Sequence, residues 1–481
     1  MSSIWENVKV EGGKPLKQNI ERDIVVIGGG IAGILTAFQL SEKGEKVTLV
    51  EAKPNLCEGV TKNTTAHITA HQGPIYSNLK AKHSLDYAKK YFQSQLDAID
   101  EYEKLINNYN IDCDFKRVDA YLFSRGETKD LQNEFKTLLS IDAKPEYVIP
   151  KINLEMTKAI LIKNQAIFHP LKFLNSLPKK FEIYTSTCII DVDLNKKLLF
   201  TEKFVIKANK IIFATNYPIV NVRGSYFIKL YKSSSYAIST NEIVDIGGIF
   251  NEDIGEGITL RNYGRQIIIG GLDHRTGRMK TCEAFETLEK TASQCYKNAE
   301  IENRWDANDT MTSDEVPLIG QFDLKHKDIY IITGFNKWGM ANAMIGSLLI
   351  VDLVQSLQSK YADIFCPQRH KFKLGFFFAN MGVVIKDLLF KPLSIPFNSY
   401  KNLKPDTGDI VSYHGRKRAV YKDKNGKLFV CKPYCKHLGC QLQFNSNTKT
   451  WDCPCHGSRY DLNGKIICSP TVKNLESKNN S

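Results

Sequence analysis

A glycine-rich turn between a strand and a helix constrains this chain more than any other feature, because it requires one particular backbone arrangement. The stretch Asp23-Ile-Val-Val-Ile-Gly28-Gly-Gly30-Ile-Ala-Gly33 joins a run of apolar, β-branched residues to spaced glycines. Gly28 permits the tight turn, Gly30 lets the backbone approach a pyrophosphate, and Gly33 lets helix and strand pack closely. The stretch therefore predicts a β-α-β unit that binds a dinucleotide.

The residues that follow complete this unit. Ile34 to Lys43 has helical apolar spacing, Gly44 ends the helix, and Lys46-Val-Thr-Leu-Val-Glu51 reads as a second strand. An acid at that strand end can bind the ribose hydroxyls of an adenosine. The unit alone leaves open whether the nucleotide is NAD or FAD. The residues expected to hold it are Gly28, Gly30, Ile31, Ala32, Gly33 and Glu51.

Later stretches favour FAD by resemblance. Several ordered stretches resemble the flavin-contacting segments of glycine and D-amino-acid oxidase-like FAD proteins. They are Gly59–Gly73, Ile211–Pro218, Arg304-Trp305, Asp309-Thr-Met, Val316–Gly320 and Ile329–Met340. The last of them is a glycine turn at a helix start, whose N–H groups suit the charge of a reduced flavin. The resemblance implies further cofactor-binding residues, namely Thr64, Thr65, Ala214, Thr215, Gly334, Phe335, Lys337, Trp338, Gly339 and Met340.

Short apolar runs between about Phe168 and Gly277 predict an antiparallel sheet that covers the flavin, as in the substrate domain of that family. A carboxylate substrate would favour an arginine in bidentate geometry. The candidate catalytic residues are Arg261, His274 and Lys337, with Tyr231 and Tyr236 as weaker substrate contacts. The alternatives are a surface arginine, a histidine that caps a turn and a solvated turn lysine.

A cluster of cysteines and histidines marks a separate carboxy-terminal module. Six of the 12 cysteines fall between residues 431 and 468, and Cys435 with His437 faces Cys453 with His456 across fifteen residues. A classical zinc finger has two cysteines at one end of the motif and two histidines at the other. A disulfide scaffold leaves the histidines unexplained. One Cys and one His at each end suit a Rieske [2Fe–2S] centre, in which cysteines hold one iron and histidines the other.

The flanks of these ligands resemble the cluster loops of high-potential Rieske proteins over residues 404–475. The resemblance implies a disulfide between Cys440 and Cys455, and hydroxyl donors to the cluster sulfurs at Ser458 and Tyr460. Two departures stand out. Lys436 is expected to place a cation beside the cluster, and Ser469-Pro470 replaces the usual Gly-Pro of a third loop. Cys431 and Cys468 are expected to be packing residues.

The fold class expected is multidomain. Residues 1–365 form a Rossmann-like α/β FAD-binding domain (about 20–80, 200–220 and 300–360) with an antiparallel substrate domain, α+β overall (about 81–199 and 221–299). Residues 366–403 form a connector, and 404–481 an all-β Rieske domain.

The charge of +13 comes from scattered lysines without basic runs, so no nucleic acid is expected. The start lacks secretory features and the apolar stretch at 374–385 is too short to span a bilayer, so a cytoplasmic protein without a transmembrane segment is expected.

Together these features predict an FAD-dependent oxidoreductase that oxidises an amine or amino-acid-like substrate. Electrons would leave the flavin singly through the cluster to an external acceptor such as a ferredoxin, cytochrome or quinone. One alternative is a reductase fed through the cluster by a ferredoxin-like donor. Another is a redox sensor or electron-transfer protein without its own substrate. The sequence does not identify the substrate, the acceptor or the oligomeric state.

Overall fold

The structure is a computed structural model that describes residues 1–126, 128–221, 223–242, 244–253, 257–279, 283–369 and 398–477. Most of the expected connector and all of the apolar stretch at 374–385 lie outside these residues. Among the described residues, no helix combines the length and the apolar character needed to cross a bilayer.

The strands and helices are numbered here in chain order. The strands are β1 (Ile20–Ile27), β2 (Val47–Val50), β3 (His67–Ile68), β4 (Lys116–Ser124), β5 (Glu146–Val148), β6 (Lys158–Ile167), β7 (Glu182–Tyr184), β8 (Asp191–Asp193), β9 (Leu198–Phe200), β10 (Val205–Phe213), β11 (Leu230–Glu242), β12 (Gly248–Glu252), β13 (Ile258–Tyr263), β14 (Gln266–Arg275), β15 (Ile301–Thr312), β16 (Leu318–Gln321), β17 (Ile329–Thr333), β18 (Thr407–Tyr413), β19 (Arg416–Lys422), β20 (Leu428–Cys431), β21 (Gln443–Asn445), β22 (Thr450–Asp452), β23 (Arg459–Tyr460) and β24 (Ile466–Cys468). The α-helices are α1 (Ile31–Glu42), α2 (Ile75–Lys82), α3 (Leu85–Asn108), α4 (Lys129–Ser140), α5 (Pro170–Ser176), α6 (Tyr226–Lys229), α7 (Ala284–Cys295), α8 (Gly339–Val354) and α9 (Ala362–Phe365).

The first body is an eight-stranded sheet, called here the nucleotide sheet. Its main path runs β16-β17-β10-β1-β2-β7, and the strands from β17 to β7 pair in parallel. The apolar run of β1 is buried because α1 and α8 cover the sheet. Strands β7 to β9 also belong here, so residues 182–200 are not part of the substrate domain as expected. Their apolar side chains pack under β10.

The second body is a nine-stranded sheet, called here the roof sheet, with the path β15-β11-β14-β13-β12-β4-β6-β3 and β5 paired to β6. Its strands pair antiparallel except for β12 with β4. The sheet is wider than expected because β4 and β6 extend it at one side and β15 at the other. Residues 301–312 therefore belong to the roof sheet rather than to the FAD-binding part.

The carboxy-terminal module, residues 398–477, is all-β. Strands β18-β19-β20 form one antiparallel sheet and β21-β22-β23-β24 form another, and the core of the module contains Cys431, Cys435, Cys440, Cys453 and Cys455. The module lies against the roof sheet. At Gly457, whose φ is +74°, an added Cβ would lie 2.2 Å from the Cβ of Lys232. The backbone of the module therefore packs directly against the roof sheet at this point.

Candidate active site and metal centre

A large cavity lies where the nucleotide sheet, the roof sheet and the module meet. Its volume is about 1350 Å³, and its walls include the first glycine turn, the turn before α8 and residues 465–474 of the module, called here the third loop. Pockets for one small ligand usually measure about 300–1,000 Å³. The cavity therefore has room for a dinucleotide and a second, smaller molecule.

The glycine turn presents its backbone to this cavity. Gly33 must lack a side chain because a Cβ there would lie 1.8 Å from the carbonyl oxygen of Gly28. The Glu51 carboxylate accepts hydrogen bonds from the backbone N–H of Gly29 at 2.6 Å and of Lys53 at 2.8 Å. These bonds orient the carboxylate at the strand end, and burial raises its pKa. The turn, the helix start and the acid thus fit the adenosine and pyrophosphate of a dinucleotide.

One polar residue of this region escaped the sequence analysis. The hydroxyl of Thr61 accepts a hydrogen bond of 3.0 Å from the backbone N–H of Ile31, the first residue of α1. Thr61 is buried and lines the cavity. The hydroxyl thus provides an acceptor for one of the N–H groups that have no partner within the helix at its first turn. A threonine in an irregular segment carries no spacing signal, so only the fold shows this contact.

Most of the other expected cofactor-binding residues line the same cavity. They are Gly28, Gly30, Ile31, Ala32, Thr64, Thr65, Ala214, Thr215, Phe335, Lys337, Trp338, Gly339 and Met340. Gly334 does not line it. Its φ is +75° and its Cβ position lies 2.4 Å from the Thr312 methyl group, so it shapes the turn. Gly33 lies behind the wall for the packing reason given above.

The expected catalytic residues have different environments. Lys337 lines the cavity and forms an ion pair with Asp273. His274 also lines it and stacks on Tyr236 with ring centroids 5.7 Å apart, and burial lowers its pKa. Tyr231 lines the cavity as well. Lys337 and His274 are therefore available to a ligand between the flavin turn and the roof sheet.

Arg261 is elsewhere, and the expectation that it binds a substrate carboxylate is wrong. Its side chain is fully buried away from the cavity, where Nη1 donates to the carbonyl of Ala66 at 2.8 Å and the guanidinium lies over the Trp5 ring at 5.3 Å. The side chain ties β13 to the segment before β3. Arginine pointing into a core behind the sheet has the same sequence pattern as arginine pointing into a pocket.

The four expected metal ligands converge in the module. Cys435, Cys453 and His456 are almost fully buried and His437 is half-buried. The two imidazole rings lie 5.1 Å apart and nearly perpendicular. Burial lowers the pKa of His437 to about 4 and of His456 to about 3, which keeps both rings in the neutral form that binds iron. A hydrogen bond from Cys453 lowers the pKa of Cys435 to about 6.

The neighbouring cysteines do not compete for metal. Cys440 and Cys455 are joined in a disulfide, and their sulfurs lie within 4.8 Å of the Cys453 sulfur. Both nitrogens of His456 are buried, and neither has a hydrogen-bond partner among the residues that the structure describes. A buried imidazole in that state is costly unless it binds something. Two thiols, two neutral imidazoles and an adjacent disulfide fit a Rieske cluster.

Hydrogen bonds surround the thiols as expected. The Tyr460 hydroxyl lies 3.4 Å from the Cys435 sulfur, and Ser458 is buried beside the same thiol and bonds the backbone of Thr471 at 3.2 Å. Two other expectations change. Lys436 is exposed and pairs at 2.6 Å with Glu476, which it shares with Lys432, so its charge is partly compensated. Cys468 is not core packing, because its sulfur lies 3.4 Å from the ammonium of Lys232 and lines the cavity.

The cluster ligands touch the same body that forms the cavity. The amide of Asn221 lies 3.0 Å from Nε2 of His437, and the ring of Tyr217 lies 6.2 Å from that of His456. Tyr217 belongs to the turn after β10 that also contributes Ala214 and Thr215 to the cavity wall. Arg275 donates to the carbonyl of Cys455 at 3.4 Å. One turn therefore contacts both sites.

A buried ion pair, which the sequence analysis missed, joins the module to the roof sheet. The guanidinium of Arg459 is 4% exposed and pairs with Asp306 of β15 and with Asp452 of its own module, the latter at 3.1 Å. Asn445 adds a hydrogen bond of 3.1 Å to the Tyr236 hydroxyl. Such contacts between distant segments leave no local pattern in a sequence.

Comparisons with known proteins agree with these two sites. Residues 23–353 match the family model described as FAD dependent oxidoreductase, and residues 395–479 match the Rieske [2Fe-2S] domain. The chain is 30% identical over 480 residues, 96% of its length and 94% of the relative, to the putative Rieske 2Fe-2S iron-sulfur protein YhfW of Bacillus subtilis (strain 168).

Solved structures share the fold of the larger body. Glycine oxidase from Geobacillus kaustophilus has a TM-score of 0.62 at 16% identity, covering 73% of this chain and 100% of that one. L-proline dehydrogenase from P. horikoshii has a TM-score of 0.62 at 19% identity, covering 74% of this chain and 98% of that one. At these identities the likeness concerns the fold alone.

Proposed function

Since the chain belongs to the family of FAD dependent oxidoreductases and carries a Rieske [2Fe-2S] domain, we propose that it oxidises an amine or amino-acid-like substrate at the flavin. Electrons then pass one at a time through the cluster to an external acceptor. The family supports this substrate class, and so do two proteins of similar fold, a glycine oxidase and an L-proline dehydrogenase.

The contact of one turn with both sites is the observation that carries the proposal. Tyr217 lies against His456, and the residues just before it line the flavin cavity. If the module exchanged electrons only with a separate protein, its cluster ligands would not need to pack against a turn of the flavin cavity. His437 is half-buried and the adjacent Leu438 is 47% exposed, so this side of the cluster also reaches the surface. An external acceptor could approach there.

Different residues would hold the two cofactors. The glycine turn and Glu51 would hold the nucleotide part of FAD, and the turn before α8 would supply N–H groups to the ring. FAD, when bound, accepts two electrons and a proton from a C–H bond. Cys435, His437, Cys453 and His456 would hold the cluster, which transfers single electrons. The remaining cavity space supports a substrate site, since a sensor without a substrate would have this space filled by side chains.

Anaerobic titration of the purified holoprotein with a panel of amines and amino acids tests the proposal. Flavin absorbance reports substrate oxidation, and electron paramagnetic resonance of the same samples reports the reduced cluster. We expect one class of amine to bleach the flavin and to produce the reduced-cluster signal. A cluster potential far below that of the flavin would contradict this direction and favour the reductase. A flavin that no amine bleaches would contradict the substrate class.

A further inference from the structure

Three aspartates surround the part of the cavity between the flavin turn and the module, and they differ in their partners. Asp273 pairs with Lys337 and Asp306 pairs with Arg459. Asp309 lines the same cavity, but its carboxylate makes no hydrogen bond or ion pair with any residue that the structure describes. A carboxylate that is partly withdrawn from water in a cavity wall and has no partner is costly and calls for an explanation.

Strand β15 directs Asp309 toward the cavity. Ala307, Asp309 and Met311 are half-buried, whereas the alternate residues Asn308 and Thr310 are buried. This alternation is that of a strand whose odd-numbered residues lie on the more open face, although Asn308 and Thr310 also line the cavity. The side chain of Asp309 therefore belongs to the cavity wall.

Hydrogen bonds fix this strand to both turns that face the flavin site. Asn216, in the turn after β10, donates to the carbonyl of Asn308 at 2.8 Å and accepts from the Thr310 hydroxyl at 2.9 Å. Asn336, in the turn before α8, donates its backbone N–H to the carbonyl of Thr310 at 3.2 Å. Asp309 is thus held, from both sides, at the junction of the two turns.

We propose that Asp309 binds the nitrogen of a cationic amine substrate and accepts the proton that the ammonium must lose before oxidation. This inference rests on the proposed function. In the step, R₂CH–NH₃⁺ and the carboxylate give R₂CH–NH₂ and a carboxylic acid, so charge and atoms balance. The neutral amine can then release a hydride from its carbon, with FAD as the two-electron oxidant. A substrate ammonium also supplies the partner that the carboxylate lacks.

The charged groups around Asp309 are consistent with this role. Three charged side chains influence its carboxylate electrostatically: Lys232 of β11, Lys337 of the turn before α8 and Asp273 of β14. Cys468 of the third loop lies next to Lys232. Burial is the largest influence and raises the pKa of Asp309 to about 6, with the two lysines opposing it. A base with a pKa near the working pH is well placed for proton transfer. Amine binding should be strongest well above pH 6, where the carboxyl is ionised, and should be lost as the pH falls through that value.

Binding of tert-butylamine to the FAD- and cluster-loaded protein tests the inference without turnover, because this cation has no hydrogen on its α-carbon. We expect a saturable change in the flavin spectrum for the unaltered protein and for the control Asp130→Asn, which removes an exposed carboxylate from the same cavity. Asp309→Asn should weaken binding about 10- to 150-fold, the value of a charge-assisted hydrogen bond. No binding at all, or equal binding by Asp309→Asn, would overturn the inference.

Thermal unfolding provides a second readout. At pH 8 Asp309→Asn should raise the melting temperature, because it removes a buried charge without a partner. At pH 4, where the carboxyl is already neutral, the gain should vanish. A lower melting temperature at pH 8 would show a structural role and contradict the inference.

The two proposals fail in distinguishable ways. If amines bind through Asp309 but none bleaches the flavin, the binding role of Asp309 stands, whereas its role as a base and the proposed oxidation fall. If amines bleach the flavin equally fast in Asp309→Asn, the oxidation stands and the inference falls. If both hold, Asp309→Asn should slow flavin bleaching by about 10²- to 10⁴-fold, the usual contribution of a positioned base.

Discussion

The first glycine turn and the cluster loops present their cofactors with different kinds of groups. The turn from Gly28 to Gly33 offers backbone N–H groups and the absence of side chains, and many residues share the task. The cluster loops offer four side chains, each of which would form its own bond to iron. Loss of one ligand should therefore matter more than loss of one contact to the flavin. The same difference explains why the ligands stand out in a sequence.

Cys453→Ser should produce the largest effect. Without the thiolate the cluster should fail to assemble, so the visible absorbance and the electron paramagnetic resonance signal of the cluster should be absent while FAD remains bound. Iron analysis and the flavin spectrum of the same preparation check this. Cys468→Ser is the matched control, since Cys468 lies on the third loop and contacts Lys232 instead. Full cluster content in Cys453→Ser would show that the assigned ligand set is wrong.

Gly33→Val tests the backbone side of the comparison. Its Cβ would collide with the Gly28 carbonyl at 1.8 Å, so the turn must open and FAD should be lost, whereas the cluster should persist in the separately packed module. The ratio of flavin to iron measures both at once. Gly126→Ala is the control because no atom lies within 4 Å of its Cβ position. Full FAD occupancy in Gly33→Val would contradict the role given to the turn.

Arg459→Met tests whether the contact between the module and the roof sheet is needed for electron transfer between the flavin and the cluster. It leaves Asp306 and Asp452 without their buried cation, which should cost about 3–5 kcal/mol of stability. We expect both cofactors to be retained at low temperature but electron transfer from flavin to cluster to slow. Arg416→Met, on an exposed part of β19, should change neither property. An unchanged transfer rate in Arg459→Met would mean that this ion pair does not maintain the contact.

Tyr460→Phe should produce the smallest effect. Its hydroxyl lies 3.4 Å from the Cys435 sulfur and should stabilise the more negative, reduced cluster. Loss of about 1 kcal/mol should lower the one-electron potential by roughly 40 mV, measurable by redox titration. Lys436→Gln should change it less, because Lys436 is exposed and paired with Glu476. A larger shift for Lys436→Gln than for Tyr460→Phe would reverse this ranking.

The sequence predicted the parts whose chemistry depends on local spacing. The β-α-β unit around Gly28 and the all-β character of the module are confirmed, and the four ligands converge because their loops are short. Arg261 was misassigned because alternation along a strand does not reveal which face meets a cavity. The resemblance already included Asp309 among the residues near the flavin, but it did not indicate a role for the carboxylate. Arg459 acquires its ion pairs from segments far apart in the chain, so no local pattern could identify it.

The central claim is that one chain carries electrons from flavin to cluster through the contact at Tyr217. Rapid photoreduction of the flavin in the anaerobic holoprotein, followed by the absorbance of the cluster, tests it most directly. The account predicts that the cluster becomes reduced at a rate independent of protein concentration, because the transfer is intramolecular. A rate that rises in proportion to concentration, or a cluster that stays oxidised while the flavin is reduced, would contradict it.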